Sequence, residues 1–208
     1  MPSSTFFNLP GEKQEKLLSA AVGEFTKRSF NQASINRIIQ EAGIPRGSFY
    51  MYFEDKEDLF RYLLAEQADQ LLRITQELLS RDGGDIFQAL EDLYEYLQRH
   101  RENNSLGDIG VLCAILRCNA GMQKSGLLEM LEPEKILRQI CDMVNPDLMD
   151  LRSERDLPDM VHMLLSLSMP VIYSGLLTDH SAESYAYFQN MLNILRRGME
   201  LPHVASAV

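Results

Sequence analysis

The chain is short of cysteine, of long apolar runs and of positive charge, and each shortage removes a class of function. Cys113, Cys118 and Cys141 are too few, and odd in number, for a disulfide framework. A reducing, cytoplasmic setting is expected. No run approaches the roughly eighteen apolar residues of a membrane span, so no membrane partner is expected. The N-terminal MPSSTFFNLPGEKQEK has no basic segment followed by an apolar stretch, which argues against a secretory signal. A glycine-rich dinucleotide loop, a phosphate-binding loop, a nucleophile elbow and an HExxH pair are all missing. The expectation is a protein that is not an enzyme and carries no cofactor. Strand-like alternation, internal repeats and low-complexity tracts are also wanting.

What is present is a chain of 208 residues, 45% hydrophobic, long enough for a real core in one or two domains. Its net charge of −10 at first argues against a nucleic-acid partner, so the distribution matters. Residues 1–53 carry six Lys and Arg against four Asp and Glu, while the remainder carries 14 against 26. A mildly basic head on an acidic body suits local contact with phosphates and repels DNA elsewhere. With few cations to release counterions, non-specific binding should be modest.

The stretch Ser34–Lys56, SINRIIQEAGIPRGSFYMYFEDK, is the most informative in the chain. Ile35, Ile38, Ile39 and Ala42 recur with helical spacing and make one apolar stripe. Gly43 can take the left-handed conformation that ends a helix. Pro45 falls in the first turn of a second helix, where a missing N–H costs little. Phe49 and Phe53 form that helix's apolar side, and Arg46, Gly47, Ser48, Tyr50 and Tyr52 its outer side. Two short helices joined by a glycine turn make a helix-turn-helix that can enter a DNA major groove.

The rest of the pattern is helical, so the predicted fold is all-α. A leading helix has Leu17, Leu18, Ala21, Val22 and Phe25 on its core face. Asp55 caps a long helix reaching about Ser80, which the cluster from Asp82 to Asp85 breaks. Further helices are expected over Ile86–Arg101, Ile109–Asn119, Ser125–Met130 and Glu134–Val144. Met160–Leu177 is apolar on almost every side and should be buried all round, with Pro170 kinking it. The last helix bears two apolar stripes. Tyr185, Phe188, Leu192, Leu195 and Met199 form one, and Tyr187, Met191 and Ile194 the other. A surface helix needs one such face, so one stripe packs internally and one meets another subunit. The first stripe is taken as the candidate dimer interface.

From Lys13 to Leu59 the chain resembles the tetracycline-repressor (TetR) family of bacterial regulators. The resemblance rests on KLLSAAVGEFTKRSF, on SINRIIQEAGIPRGSFYMYF and on EDKEDLF, which together cover about a quarter of the sequence. It implies a homodimer with a three-helix DNA-binding domain, residues 1–54. A helical ligand-binding and dimerisation domain, residues 55–208, follows. By position it places DNA contacts at Ser34, Asn36, Arg37, Pro45, Arg46, Gly47, Ser48, Tyr50, Tyr52 and Lys56. Arg46 is the candidate for bidentate guanine readout. Ser34, Ser48, Tyr50, Tyr52 and Lys56 suit phosphates, although Tyr50 and Tyr52 suit surface packing equally well. Gly47 permits a close approach to the groove. Ser29 stands where the family commonly has glycine, so the first helix is expected to end differently here.

The implied activity is a repressor that binds a palindromic double-stranded operator and is released by a small-molecule effector. An activator, or a DNA-binding co-regulator without a ligand, is the alternative. Candidate pocket residues are Arg117, which suits an anionic ligand or a solvated face, and His162, Ser166 and Tyr173. The last three line a pocket or are satisfied hydrogen-bonders at an interface. Cys113 and Cys118, five residues apart, lie about 140° apart around a helix and cannot share one metal ion. Buried structural thiols are the reading preferred here, and no metal site is expected.

Overall fold

The computed structural model describes residues 2–102, 107–119, 133–177 and 181–201. The expected helical piece Ser125–Met130 lies outside them. The helices are α1 (Ser4–Phe7), α2 (Gly11–Phe25), α3 (Ile35–Ala42), α4 (Arg46–Tyr52), α5 (Lys56–Arg81), α6 (Ile86–Glu102), α7 (Gly107–Cys118), α8 (Pro133–Cys141), α9 (Asp156–Leu177) and α10 (Ser181–Met199). Among the described residues no strand forms; an isolated antiparallel bridge joins Met149 and Glu200. The fold is all-α, as the periodicity predicts.

The chain divides into two compact units. One comprises Met1–Gln70 with Gly107–Glu132, the other Leu71–Leu106 with Pro133–Val208. The first unit therefore continues past the boundary expected at residue 54. The reason is its core. Leu59, Phe60, Leu63 and Leu64 of α5 and Ile115 of α7 are buried in one cluster with Leu17, Phe25, Ile38, Phe49 and Phe53. Each such side chain contributes roughly 1.5–3 kcal/mol on burial, so a head cut at residue 54 would lose much of its apolar support.

Local signals set the helix ends within this unit. Gly43 closes α3 at φ +67°, with its N–H donating to Gln40 O and that of Ile44 to Ile39 O at 3.0 Å. Asp55 Oδ1 accepts the Asp58 N–H at 2.8 Å, and Asp58 Oδ2 accepts the Glu54 N–H at 3.1 Å, fixing the start of α5. No glycine ends α2. Thr26 Oγ1 donates to Val22 O at 2.7 Å, and Ser29 O accepts the N–H groups of Gln32 and Ala33. The loop between α2 and α3 is also fastened from far along the chain. The Cys118 thiol donates to Thr26 O at 3.1 Å, and buried Asn119 accepts the Phe30 N–H through Oδ1 at 2.7 Å.

In the second unit, Tyr94 of α6 is fully buried. Its ring stacks on Phe188 of α10 at 4.9 Å and lies 5.1 Å from Tyr185. Gly175 of α9 receives the Tyr94 hydroxyl, and a Cβ at that position would collide with it. Gly84, at φ +82°, lets the chain at Asn145 approach closely enough to donate its N–H to Gly84 O at 3.0 Å. Pro146–Leu148 is a single 3-10 turn. Two expectations are corrected here. α9 is not buried all round, since Met163 and Leu167 are nearly half exposed. On α10 the stripe assigned to the dimer interface turns inward: Phe188, Leu192 and Met199 are buried by this chain, with Tyr185 and Leu195 half-buried. Phe188 is drawn in because the ring of Tyr94 needs a flat apolar partner.

Candidate nucleic-acid interface

The helix-turn-helix is built on a buried carboxylate. Glu24 of α2 is 4% exposed. Its Oε1 accepts the Ser34 N–H at 2.9 Å and Arg37 Nε at 2.7 Å, and its Oε2 accepts Arg28 Nη1 at 2.6 Å. Burial alone would raise the Glu24 pKa. The hydrogen bonds from Arg37 and Ser34, with the charges of Arg28 and Arg37, outweigh that and hold it below the ordinary value. A buried acceptor with four lone-pair sites can fix a backbone N–H and two guanidinium groups at once. The first residues of α3 are thus pinned to α2. Arg37 is spent on this task, since its Nη2 also donates to Gln32 O at 2.7 Å.

α4 rests on Phe49, which is buried together with Phe53 just beyond its end. Pro45 is its N-cap, one position outside the helix rather than within its first turn. Arg46 reaches across to α3, where Nη1 donates to Asn36 Oδ1, while Nη2 donates to the Tyr50 hydroxyl at 3.1 Å. Its guanidinium carbon lies 5.6 Å from the centroid of the Tyr50 ring. Asn36, Arg46 and Tyr50 are all exposed, so water competes for these bonds and they are cheap to exchange. A planar donor fork is thereby held in the open between two helices, poised for a bidentate acceptor.

Gly47 is exposed, and a Cβ there would meet nothing within 4 Å. Glycine inside a helix costs up to about 1 kcal/mol relative to alanine, and internal packing gives no reason for it here. Ser48 and Tyr52 are half-buried. Ser34 is half-buried as well, and its hydroxyl makes no cap bond. Lys56 has its ammonium on Phe30 O at 2.6 Å and Ala33 O at 3.0 Å, and 4.5 Å from the Phe30 ring centroid. Two of its three donors therefore hold the α2–α3 loop. An open depression elsewhere on the head is lined by Glu12, Glu15, Lys16, Ser19, Ala20 and Glu41, a surface that repels phosphate.

This is the region that known proteins share. Residues 17–63 match the family described as bacterial regulatory proteins, tetR family. Over those residues the chain is similar to the tetR family. An uncharacterized HTH-type transcriptional regulator of Bacillus subtilis, YdgC, is 29% identical over 103 residues, 46% of this chain and 53% of YdgC. The HTH-type transcriptional repressor BepR of Brucella suis is 40% identical over 53 residues, about a quarter of each protein. The chain thus spans about half or less of the curated relatives it matches. The regulator FadR of Bacillus subtilis, solved in complex with stearoyl-CoA, superposes with a TM-score of 0.56. That alignment covers 88% of this chain and 97% of FadR at 16% identity, which supports the fold alone.

The candidate pocket residues fall in both units of the chain. Arg117 is exposed and belongs to the first unit. His162 and Ser166 are exposed on the flank of α9 that carries Met163 and Leu167, and Tyr173 is half-buried. On α10 the outward apolar residues are Tyr187, 62% exposed, and Ile194, 54% exposed. Burial pushes the Cys113 thiol up to about 11, so it stays protonated at neutral pH. No cluster of ligating side chains forms among the described residues, and no helix there is long and apolar enough to cross a membrane.

Sequence reasoning missed Glu24 and the segment before α2. A lone Glu inside an otherwise apolar helix face, between Val22 and Phe25, was the available signal for the first. Two adjacent phenylalanines ahead of a Pro-Gly helix start, in STFFNLPG, were the signal for the second.

Proposed function

We propose that the protein is a cytoplasmic, ligand-responsive transcriptional repressor that binds a palindromic operator as a homodimer. The observation that carries the DNA-reading part is the exposed Asn36–Arg46–Tyr50 network beside a glycine that internal packing does not require. The network presents a guanidinium fork suited to the O6 and N7 acceptors of guanine. Gly47 removes the side chain that would hold the helix off the bases. A dimer reads half-sites about 34–36 Å apart.

The dimer is assigned to the outward faces of α9 and α10, through Met163, Leu167, Tyr187 and Ile194, in place of the stripe that turns inward. Apolar side chains on two neighbouring helices of this chain are left open to water, and a second copy covers both. The effector is a small molecule held by the helical body, a reading supported by the stearoyl-CoA bound to FadR. α5 contributes residues to both units, so a ligand that prefers one setting of α5 alters the heads. By linkage, operator DNA then weakens effector binding by the same factor.

The test is selection of genomic fragments by the purified protein, followed by titration of the recovered duplex. Arg46→Ala should cost about 1–3 kcal/mol and relax one base preference. Unchanged affinity and preference would remove Arg46 from readout.

A further inference from the structure

α4 is seven residues long, under two turns, too short to persist on its own. Like any helix it also leaves its last carbonyls without partners. Two of them are satisfied from the far N-terminus. The Ser3 N–H donates to Tyr52 O at 2.9 Å, and the Ser3 hydroxyl donates to Met51 O at 2.5 Å. Ser3 Oγ in turn accepts the Phe6 N–H at 3.4 Å and so starts α1. Phe6 is fully buried, its ring 4.9 Å from Phe53, 5.5 Å from Tyr62 and 6.4 Å from Tyr52. At the other end, Gln14 Nε2 of α2 lies 3.1 Å from Phe6 O, 3.3 Å from Phe7 O and 3.0 Å from Leu9 O, sharing two hydrogens among three carbonyls. The segment is therefore anchored to α4 by Ser3, to the core by Phe6 and to α2 by Gln14. Ser3, Phe6 and Gln14 themselves all lie ahead of residue 17, where the family match begins.

We propose that residues Ser3–Leu9 form a clasp that belongs to the DNA-reading machinery. The clasp holds the C-terminal turn of α4 and, through Phe6, sets the ring of Tyr52. Ser3, Phe6 and Gln14 are positioning residues and need not touch DNA. Glu24 and Gly43 fix the start of the helix-turn-helix, and the clasp fixes its end. Site-specific binding needs both ends of α4 in register with the bases, whereas non-specific binding needs only charge. Loosening the clasp should therefore lower specific affinity and spare the rest. This inference rests on the proposal that α4 reads DNA.

The experiment compares two duplexes of equal length, one recovered by genomic selection with the unaltered protein and one of scrambled sequence. Ser3→Pro removes both Ser3 donors, and with them the long Oγ cap on the Phe6 N–H, while keeping a φ near the observed −70° and every core side chain. It should weaken binding to the selected duplex severalfold. Phe6→Ala should weaken it about tenfold or more, equivalent to about 1.4 kcal/mol. Binding to the scrambled duplex should stay within about twofold, because the phosphate contacts are unchanged. Phe6→Leu should restore most of the specific affinity, and amide exchange over residues 46–53 should quicken in Ser3→Pro and Phe6→Ala only. If Phe6→Ala does not fold, Ser3→Pro carries the test. Equal losses on both duplexes, or no loss in Ser3→Pro, would overturn the clasp. If the unaltered protein selects no duplex, the DNA-reading proposal fails first and the clasp falls with it.

Discussion

In the reading head, Phe49 and Phe53 turn inward and leave Asn36, Arg46 and Gly47 facing water. In the body, Phe188 and Leu192 turn inward and leave Tyr187 and Ile194 facing water. Both regions bury aromatic rings completely, so interior quality does not separate them. What separates them is the partner their exteriors suit. The head offers hydrogen-bond donors and a missing side chain, which suit the hydrated, charged surface of the proposed operator. The body offers aromatic and aliphatic side chains, the kind of surface that the proposed homodimer buries. One chain thus presents two kinds of outer face, and an alteration to one should leave the other working.

The sharpest way to break this comparison is to damage each core separately. Phe49→Ala and Phe188→Ala should each cost about 3–5 kcal/mol, read by urea unfolding. Phe49→Ala should abolish operator binding and leave the dimer mass unchanged in sedimentation. Phe188→Ala should lower the dimer mass. If Phe49→Ala dissociates the dimer, the two regions are not independent.

A smaller effect comes from the carboxylate under the helix-turn-helix. Glu24→Gln should lose about 1–2 kcal/mol, since hydrogen bonds to charged groups are worth roughly that once half-exposed partners are discounted. The folded pKa of Glu24 lies below its ordinary value of about 4.5. Its contribution is therefore complete above that value and disappears as pH falls through the folded pKa. Melting curves between pH 6 and pH 3 should show the unaltered protein losing more stability than Glu24→Gln. Equal losses would mean that Glu24 is not the acid-labile support of α3.

Ile194→Glu addresses the outer face of the body. It should weaken dimerisation by about tenfold or more, near 1.4 kcal/mol, with the unfolding of each subunit little changed. A dimer of undiminished stability would move the interface elsewhere. The smallest effect has opposite signs in its two readouts. Gly47→Ala should raise head stability by up to about 1 kcal/mol while lowering operator affinity. A variant that is both more stable and binds as well would show that no close approach occurs there.

Much of the head was legible in the sequence because its geometry is local. The spacing of Ile35, Ile38 and Ala42 set the inward stripe of α3, and Gly43 had one conformational advantage to use, the φ of +67° it adopts. Asp55 sits within reach of the N–H it caps. Glu24 and Ser3 were not legible, because their partners lie 10 and 48 or more residues away and a polar side chain's period does not disclose its partner. In the body the pattern was read correctly as apolar and wrongly as to direction. α10 has two apolar stripes, and a repeat of 3.6 residues ranks neither as inner. The choice was made by Tyr94, more than ninety positions before Phe188. α9 fails for a related reason: apolar composition records that a face is covered, whatever does the covering.

The fastening of the α2–α3 loop by Cys118 and Asn119 carries a consequence for synthesis of the chain. Residues 1–54 leave the ribosome first, yet the carbonyl that satisfies the Phe30 N–H arrives about 65 residues later. At roughly 5–20 residues per second, that interval is on the order of several seconds. A nascent head therefore waits with its α2–α3 loop held by Lys56 and Glu24 but without the Thr26 and Phe30 fastenings, and its fold is complete only after a good part of the body has been made.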